Sequence, residues 1–117
     1  MDSQTDEQHC ALMRFIGIFS GKWVLPIMYH LIQANAPVRF NQLQKNLVPI
    51  PQKELSKQLK LLEKHRLITK TIYPEIPPRV EYQVTLLGKS LHPSLESLAT
   101  WMEFYEHKRS NEPSPSV

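Results

Sequence analysis

Thirteen consecutive residues, Tyr73 to Thr85 (YPEIPPRVEYQVT), restrict the fold of this chain more than any others. Val80, Tyr82 and Val84 alternate with Glu81 and Gln83, which is the period-two pattern of a half-buried strand. Leu67 to Tyr73, rich in β-branched residues, reads as its antiparallel partner. Between the two runs, Pro74, Glu75, Ile76, Pro77, Pro78 and Arg79 form a stiff connection, because three prolines have no N–H to give to a ladder. The segment therefore predicts a hairpin whose rigid tip carries one arginine.

The residues just upstream give that hairpin its meaning. A helix is expected from about Pro51 or Gln52 to His65, with Leu55, Leu59 and Leu62 on one side. Lys53, Lys57, Lys60 and Lys64 fall on the opposite side, at spacings of 4, 3 and 4. Like charges on one stripe repel, so this is either a solvated face or a face whose charge is met by phosphates. A basic helix followed by an arginine-tipped hairpin favours the second alternative, a recognition helix with its wing. The expected fold class is α+β, mostly helical: a winged helix-turn-helix domain with N- and C-terminal dimerisation helices. Gln52, Lys53, Ser56 and Lys57, on the N-terminal half of the helix, are the candidates for base edges. Lys60 is a candidate phosphate contact, and Lys64 a solvated residue. Arg79 either enters the minor groove or holds a phosphate, or it pairs with Glu75 or Glu81 inside the hairpin. Arg39 either touches the DNA backbone or is structural.

The rest of the chain fits around this pair. A first helix is expected from about Glu7 to Phe19, with Leu12, Phe15, Ile16 and Phe19 on one face. Ser20 is positioned to cap a second helix running from Lys22 to about Gln33. Asn35-Ala36-Pro37 reads as a turn, and Asn41 with Gln44 as a capping box for a short third helix carrying Leu43 and Leu47. Val48 to Pro51 is the turn that completes the helix-turn-helix. Beyond Thr85, a plausible N-cap, Leu87, Leu91, Leu95, Leu98, Met102 and Tyr105 recur at helical spacing, and Pro93 should kink or split that helix. This organisation is one domain over residues 1–109, with the helix-turn-helix at about 41–65, the wing at 67–85 and C-terminal dimerisation helices at 86–107. Residues 110–117 (SNEPSPSV) have the composition of a disordered tail.

Charge is distributed unevenly. Of a net +3, residues 37–89 carry ten Lys or Arg against four Glu, while residues 1–20 and 90–117 are each net −2. A basic centre between acidic ends suits a polyanion partner and leaves the ends for another task. The apolar runs are too short to span a bilayer, so no membrane partner is expected. The acidic, polar start MDSQTDEQHC is unlike a secretory signal, and a single cysteine suits the cytoplasm. No Gly-rich phosphate loop, paired carboxylates or nucleophile motif is present, so neither catalysis nor a cofactor is expected. The five histidines show no metal-ligand spacing.

Gly21-Lys22-Trp23, Arg39-Phe40-Asn41-Gln42-Leu43, Leu55-Ser56-Lys57-Gln58-Leu59 and the hairpin with Gly88 together resemble HxlR-type transcriptional regulators, bacterial relatives of the MarR group. The resemblance spans about Cys10 to Trp101. It implies a homodimeric winged-helix protein that binds double-stranded DNA at a pseudo-palindromic operator, its terminal helices forming the dimer interface. Two departures stand out. Pro49-Ile50-Pro51 replaces the family's Gly-Ile-Ser before the recognition helix, and Arg66 replaces the glycine after it. A left-handed cap at 66 must then be taken by a residue with a Cβ, or the helix must end differently. Cys10 aligns with an N-terminal cysteine that senses oxidants or electrophiles in some members; here the alternatives are a sensor and a small buried hydrophobe. Aromatic residues Phe15, Phe19, Trp23, Trp101, Phe104 and Tyr105 either line a site for a small-molecule effector near the dimer interface or belong to the core. The alternative function of another class is a winged-helix protein-interaction module that never meets DNA.

Overall fold

The computed structural model describes residues 10–111. In chain order the elements are α1 (Ala11–Phe19), α2 (Val24–Ala34), β1 (Val38–Arg39), α3 (Phe40–Asn46), α4 (Gln52–Lys64), β2 (Ile68–Tyr73), β3 (Arg79–Val84), α5 (Leu86–Lys89) and α6 (His92–Asn111). The strands form one antiparallel sheet in the order β1-β3-β2. The fold is a winged helix, mixed α+β and mostly helical. Its core gathers Ile27, Met28 and Leu31 of α2, Leu43 of α3, Leu55, Leu59 and Leu62 of α4, and Ile68, Tyr82 and Val84 of the sheet. α2 is the buried central helix, which explains why its sequence is apolar on nearly every side.

The hairpin register pairs Ile68 with Val84, Lys70 with Tyr82, Ile72 with Val80 and Tyr73 with Arg79. Period-two alternation therefore puts Ile68, Tyr82 and Val84 on the core face, as their burial confirms. Asn35 ends α2 in the left-handed conformation at φ 48°, with its N–H bonded to the Leu31 carbonyl at 3.1 Å, so the expected turn at 35–37 is present. Arg66 adopts φ 61°, the left-handed cap demanded by the missing glycine. Its N–H bonds Glu63 O at 2.9 Å and the Leu67 N–H bonds Leu62 O at 3.0 Å, the two hydrogen bonds of a Schellman motif. Thr85 caps α5, its hydroxyl accepting from Gly88 N–H at 3.0 Å and donating to Arg66 O at 2.8 Å. Gly88 has no room for a side chain: an added Cβ would lie 2.3 Å from the Leu67 carbonyl oxygen. The C-terminal helix breaks at Ser90–Leu91, and Pro93 sits in the first turn of α6, where its missing N–H costs no intrahelical bond.

Several expectations are corrected. α2 begins at Val24 with Trp23 as N-cap and no side-chain cap, so Ser20 does not cap it; Ser20 instead ends α1. The intervening turn through Gly21 moves the helix start beyond the reach of Ser20. α3 starts one residue before Asn41, with Arg39 as N-cap and no side-chain cap, so the Asn41/Gln44 capping box is absent. The cause is β1, a two-residue strand paired to β3 through Val38–Tyr82 and Arg39–Glu81, which fixes where α3 begins. On α1 only Phe15 and Phe19 of the expected face pack on the core; Leu12 and Ile16 are exposed. The segment expected to start that helix, 7–9, lies outside the described residues. At the other end α6 continues through Asn111, past the expected tail boundary, and 112–117 lie outside the described residues.

α6 leaves the body of the domain. Leu91 and Leu95 pack against the core, but every residue from Leu98 to Asn111 is exposed. Trp101 and Tyr105 stack at 5.3 Å on its surface, and Phe104 lies under Lys108. One polar link ties the helix to α2. Tyr29 donates to Glu96 at 3.1 Å, Gln33 donates to the Tyr29 hydroxyl at 2.8 Å, and His92 lies 3.2 Å from Glu96. The hydrogen bond to Glu96, followed by desolvation and the carboxylate's charge, raises the Tyr29 hydroxyl above the usual tyrosine pKa. No single described helix is long and apolar enough to cross a membrane. α1 and α2 together reach that length, but they bend by 89° and α2 is the core helix.

Candidate nucleic-acid interface

α4 is amphipathic in the sense its sequence predicts. Leu55, Leu59 and Leu62 are buried, and Lys53, Lys57, Lys60 and Lys64 are all exposed. None of these four lysines forms an ion pair among the described residues. Gln52, Lys53, Ser56 and Lys57 line one shallow concavity of about 880 Å³ along the helix, together with Lys60 and Lys64. Pro51 is the N-cap and supplies no side-chain acceptor, so the first N–H groups of α4 keep the partial positive charge of a helix start. Glu54 in that turn is held by Gln58, a buried polar side chain that donates to its carboxylate. This bond ties the only acid of the first turn back along the helix.

A second cleft, of about 460 Å³, separates α4 from the wing. Ser56 borders it on one side, and Glu75 to Val80 on the other, with Arg39, Asn41 and Lys70 along its length. Ser56 therefore belongs to both surfaces and joins them. Lys70 and Asn41 are additions that sequence reasoning missed. The signal for Lys70 was available, since it falls between Ile68 and Ile72 on the alternation of β2, a lysine where the inward face is otherwise apolar. Asn41 was hidden by its misassignment as a cap.

Arg79 is not at the hairpin tip. It is the first residue of β3, paired across the ladder with Tyr73. Its guanidinium lies 3.2 Å from Glu75 and 3.6 Å from Glu81, and stacks 4.0 Å from the Tyr73 ring centroid. The ion-paired alternative is thus the one present in the free chain. Arg39 is exposed at the junction of β1 and α3, opposite Glu81 in the ladder. Cys10 is exposed at the N-cap of α1, so it is not a buried hydrophobe. Phe19 is in the core, Phe15 and Trp23 pack against it, and Trp101, Phe104 and Tyr105 are exposed on α6. Among the described residues no three metal-ligating side chains converge.

Residues 18–110 match the family model described as HxlR-like helix-turn-helix, which covers the helix-turn-helix, the wing and the C-terminal helices. The chain belongs to this family. It is a DNA-binding helix-turn-helix transcriptional regulator of the HxlR type rather than an enzyme. Among its relatives is the uncharacterised HTH-type transcriptional regulator YdeP of Bacillus subtilis (strain 168), 34% identical over 106 residues, spanning 91% of this chain and 81% of YdeP. A MarR-family transcriptional regulator from Enterococcus faecalis V583 superposes with a TM-score of 0.75 at 32% identity, covering 96% of each chain. The redox regulator HypR in its reduced form gives a TM-score of 0.76 at 27% identity, covering 88% of this chain and all of HypR.

Proposed function

We infer that the protein acts in the cytoplasm as a homodimer on a pseudo-palindromic operator. α4 lies in the major groove, the wing lies alongside, and the half-sites are about one helical turn, or a multiple, apart. The observation that carries this reading is the row of four exposed, unpaired lysines opposite the buried leucines of α4. Phosphates are the counter-charge such a row lacks among the described residues. Gln52, Lys53, Ser56 and Lys57 face base edges, and Lys60 and Arg39 face phosphates. Arg79 joins them from the base of the wing, where a phosphate displaces Glu75, the more exposed of its two carboxylate partners. The exposed apolar surface of α1 and α6 supports dimerisation: Leu12, Ile16, Leu98, Trp101, Met102 and Phe104 have no cover among the described residues. A symmetric partner supplies it.

The test uses duplex fragments selected by the protein from a random pool, with affinity followed against salt. Lys57→Ala and Arg79→Ala are each expected to weaken binding and to reduce the log–log salt slope by up to about one. Unchanged slopes in both variants would sink the interface.

A second reading concerns control of that binding. Cys10 is exposed and is the only cysteine in the chain, so any disulfide it forms joins two chains or a small thiol. The redox regulator HypR among the structural neighbours supports thiol sensing through this residue. Treatment with diamide should change operator affinity in the native protein and leave Cys10→Ser unaffected; equal affinity before and after treatment removes the idea. An effector site among the aromatic residues of α1 and α6 is the corresponding reading for a small-molecule signal.

A further inference from the structure

The wing tip is built in a way that its charged neighbours do not explain. Five residues, Pro74 to Pro78, connect Tyr73 to Arg79. Three of them are prolines without an N–H, and the Glu75 N–H is already bonded to the Tyr73 carbonyl at 2.8 Å. Ile76 is thus the only residue of the tip with a backbone donor to spare. The one charged side chain in the tip is Glu75, which is paired with Arg79. The tip consequently has neither the cation nor the row of donors that would hold a phosphate. What it presents is apolar: Ile76 is 102% exposed, more than any other large hydrophobic residue described, with Pro77 directly after it and Pro74 two residues before it.

An exposed isoleucine on a proline-stiffened turn contributes nothing to the core and is free to make a contact. The cleft shared by Ser56 and residues 75–80 makes the tip continuous with the DNA-reading surface of α4. With α4 in the major groove, a projection one cleft away meets the adjoining minor groove. Its floor and sugar walls accept apolar side chains, which wedge between base steps there. Resting on the DNA-binding reading above, we propose that Ile76, stiffened by Pro74, Pro77 and Pro78, is an apolar wedge that seats in the minor groove, and that Arg79 anchors the wing behind it. The contact reads groove width and the ease of parting a base step rather than hydrogen-bond donors, so it contributes preference at positions flanking those read by α4.

An apolar contact releases no counterions, which separates it from the lysine contacts in one experiment. Affinities of the unsubstituted protein, Ile76→Ala and Lys57→Ala are measured across a salt series on the same selected duplex, with and without the minor-groove ligand netropsin on an A·T-rich flank. Ile76→Ala is expected to bind about tenfold more weakly at every salt concentration with an unchanged slope, as loss of a buried isoleucine side chain implies. Netropsin should weaken the unsubstituted protein and have little further effect on Ile76→Ala. Thermal melting of Ile76→Ala should match the parent, since the side chain touches no core. If Ile76→Ala binds within twofold of the parent while Lys57→Ala is weakened, the wedge is overturned and the DNA-binding reading stands. A flattened salt slope for Ile76→Ala also overturns the wedge. Failure of the parent protein to retain any duplex overturns the reading on which the wedge rests.

Discussion

α4 and α6 both carry leucines at helical spacing, yet the chain treats these apolar positions in opposite ways. In α4, Leu55, Leu59 and Leu62 are buried against α2 and the sheet, and the polar side faces outward. In α6, Leu91 and Leu95 touch the core and the stripe then runs on with no cover, through Leu98, Trp101, Met102 and Tyr105. Periodicity thus reports that a helix has an apolar side, not whether its own chain covers it. α4 is flanked in sequence by elements that fold back over it, whereas the part of α6 beyond Leu95 has no described element left to pack against.

The difference can be broken or sharpened by substitution. Leu59→Ala should cost the most, about 3–4 kcal/mol, because it opens a cavity in a fully buried site; chemical denaturation would measure it. Gly88→Ala, at the root of the C-terminal segment, should cost about 2–3 kcal/mol, because the new methyl meets the Leu67 carbonyl, Val84 and Met28. A loss below about 0.5 kcal/mol would mean that this junction yields more easily than its geometry implies. Trp101→Ala should change the unfolding free energy of dilute protein least, by less than about 0.5 kcal/mol, while weakening self-association in sedimentation. If Trp101→Ala destabilised dilute protein as much as Leu59→Ala, α6 would be covered within one chain and the contrast would fail.

Much of the reading head was legible from residue order alone. The lysine and leucine stripes of α4, the hairpin, the Thr85 cap and the split of the C-terminal helix just before Pro93 are local signals, each carried by neighbours within a few positions. The left-handed Arg66 was also foreseeable, because the Schellman geometry after α4 constrains the backbone whatever residue occupies it. The parts that escaped depend on distant partners. β1 is two residues long, too short for any periodicity, and exists through its pairing with β3. That strand displaced the start of α3 and cancelled the Asn41 cap. Arg79 looked like a tip residue because the loop was counted to the last residue before the alternation. Pairing with Tyr73 and two carboxylates drew it into the strand instead. The exposure of Leu12 and Ile16 depends on what α1 lacks beside it, which a single-chain pattern does not encode.

The small knot around Thr85 has a mechanical meaning. Its hydroxyl spans Arg66 O and Gly88 N–H, its own N–H reaches Leu67 O, and Gly88 lies against that same carbonyl. Within these few atoms the end of α4, both feet of the hairpin and the root of the C-terminal helices are riveted together. Three arms therefore meet at one hydrogen-bonded junction. The far end of α6 is joined to the wing and the lysine-bearing helix through that junction and one short turn, Ser90–Leu91, with no long loop between them.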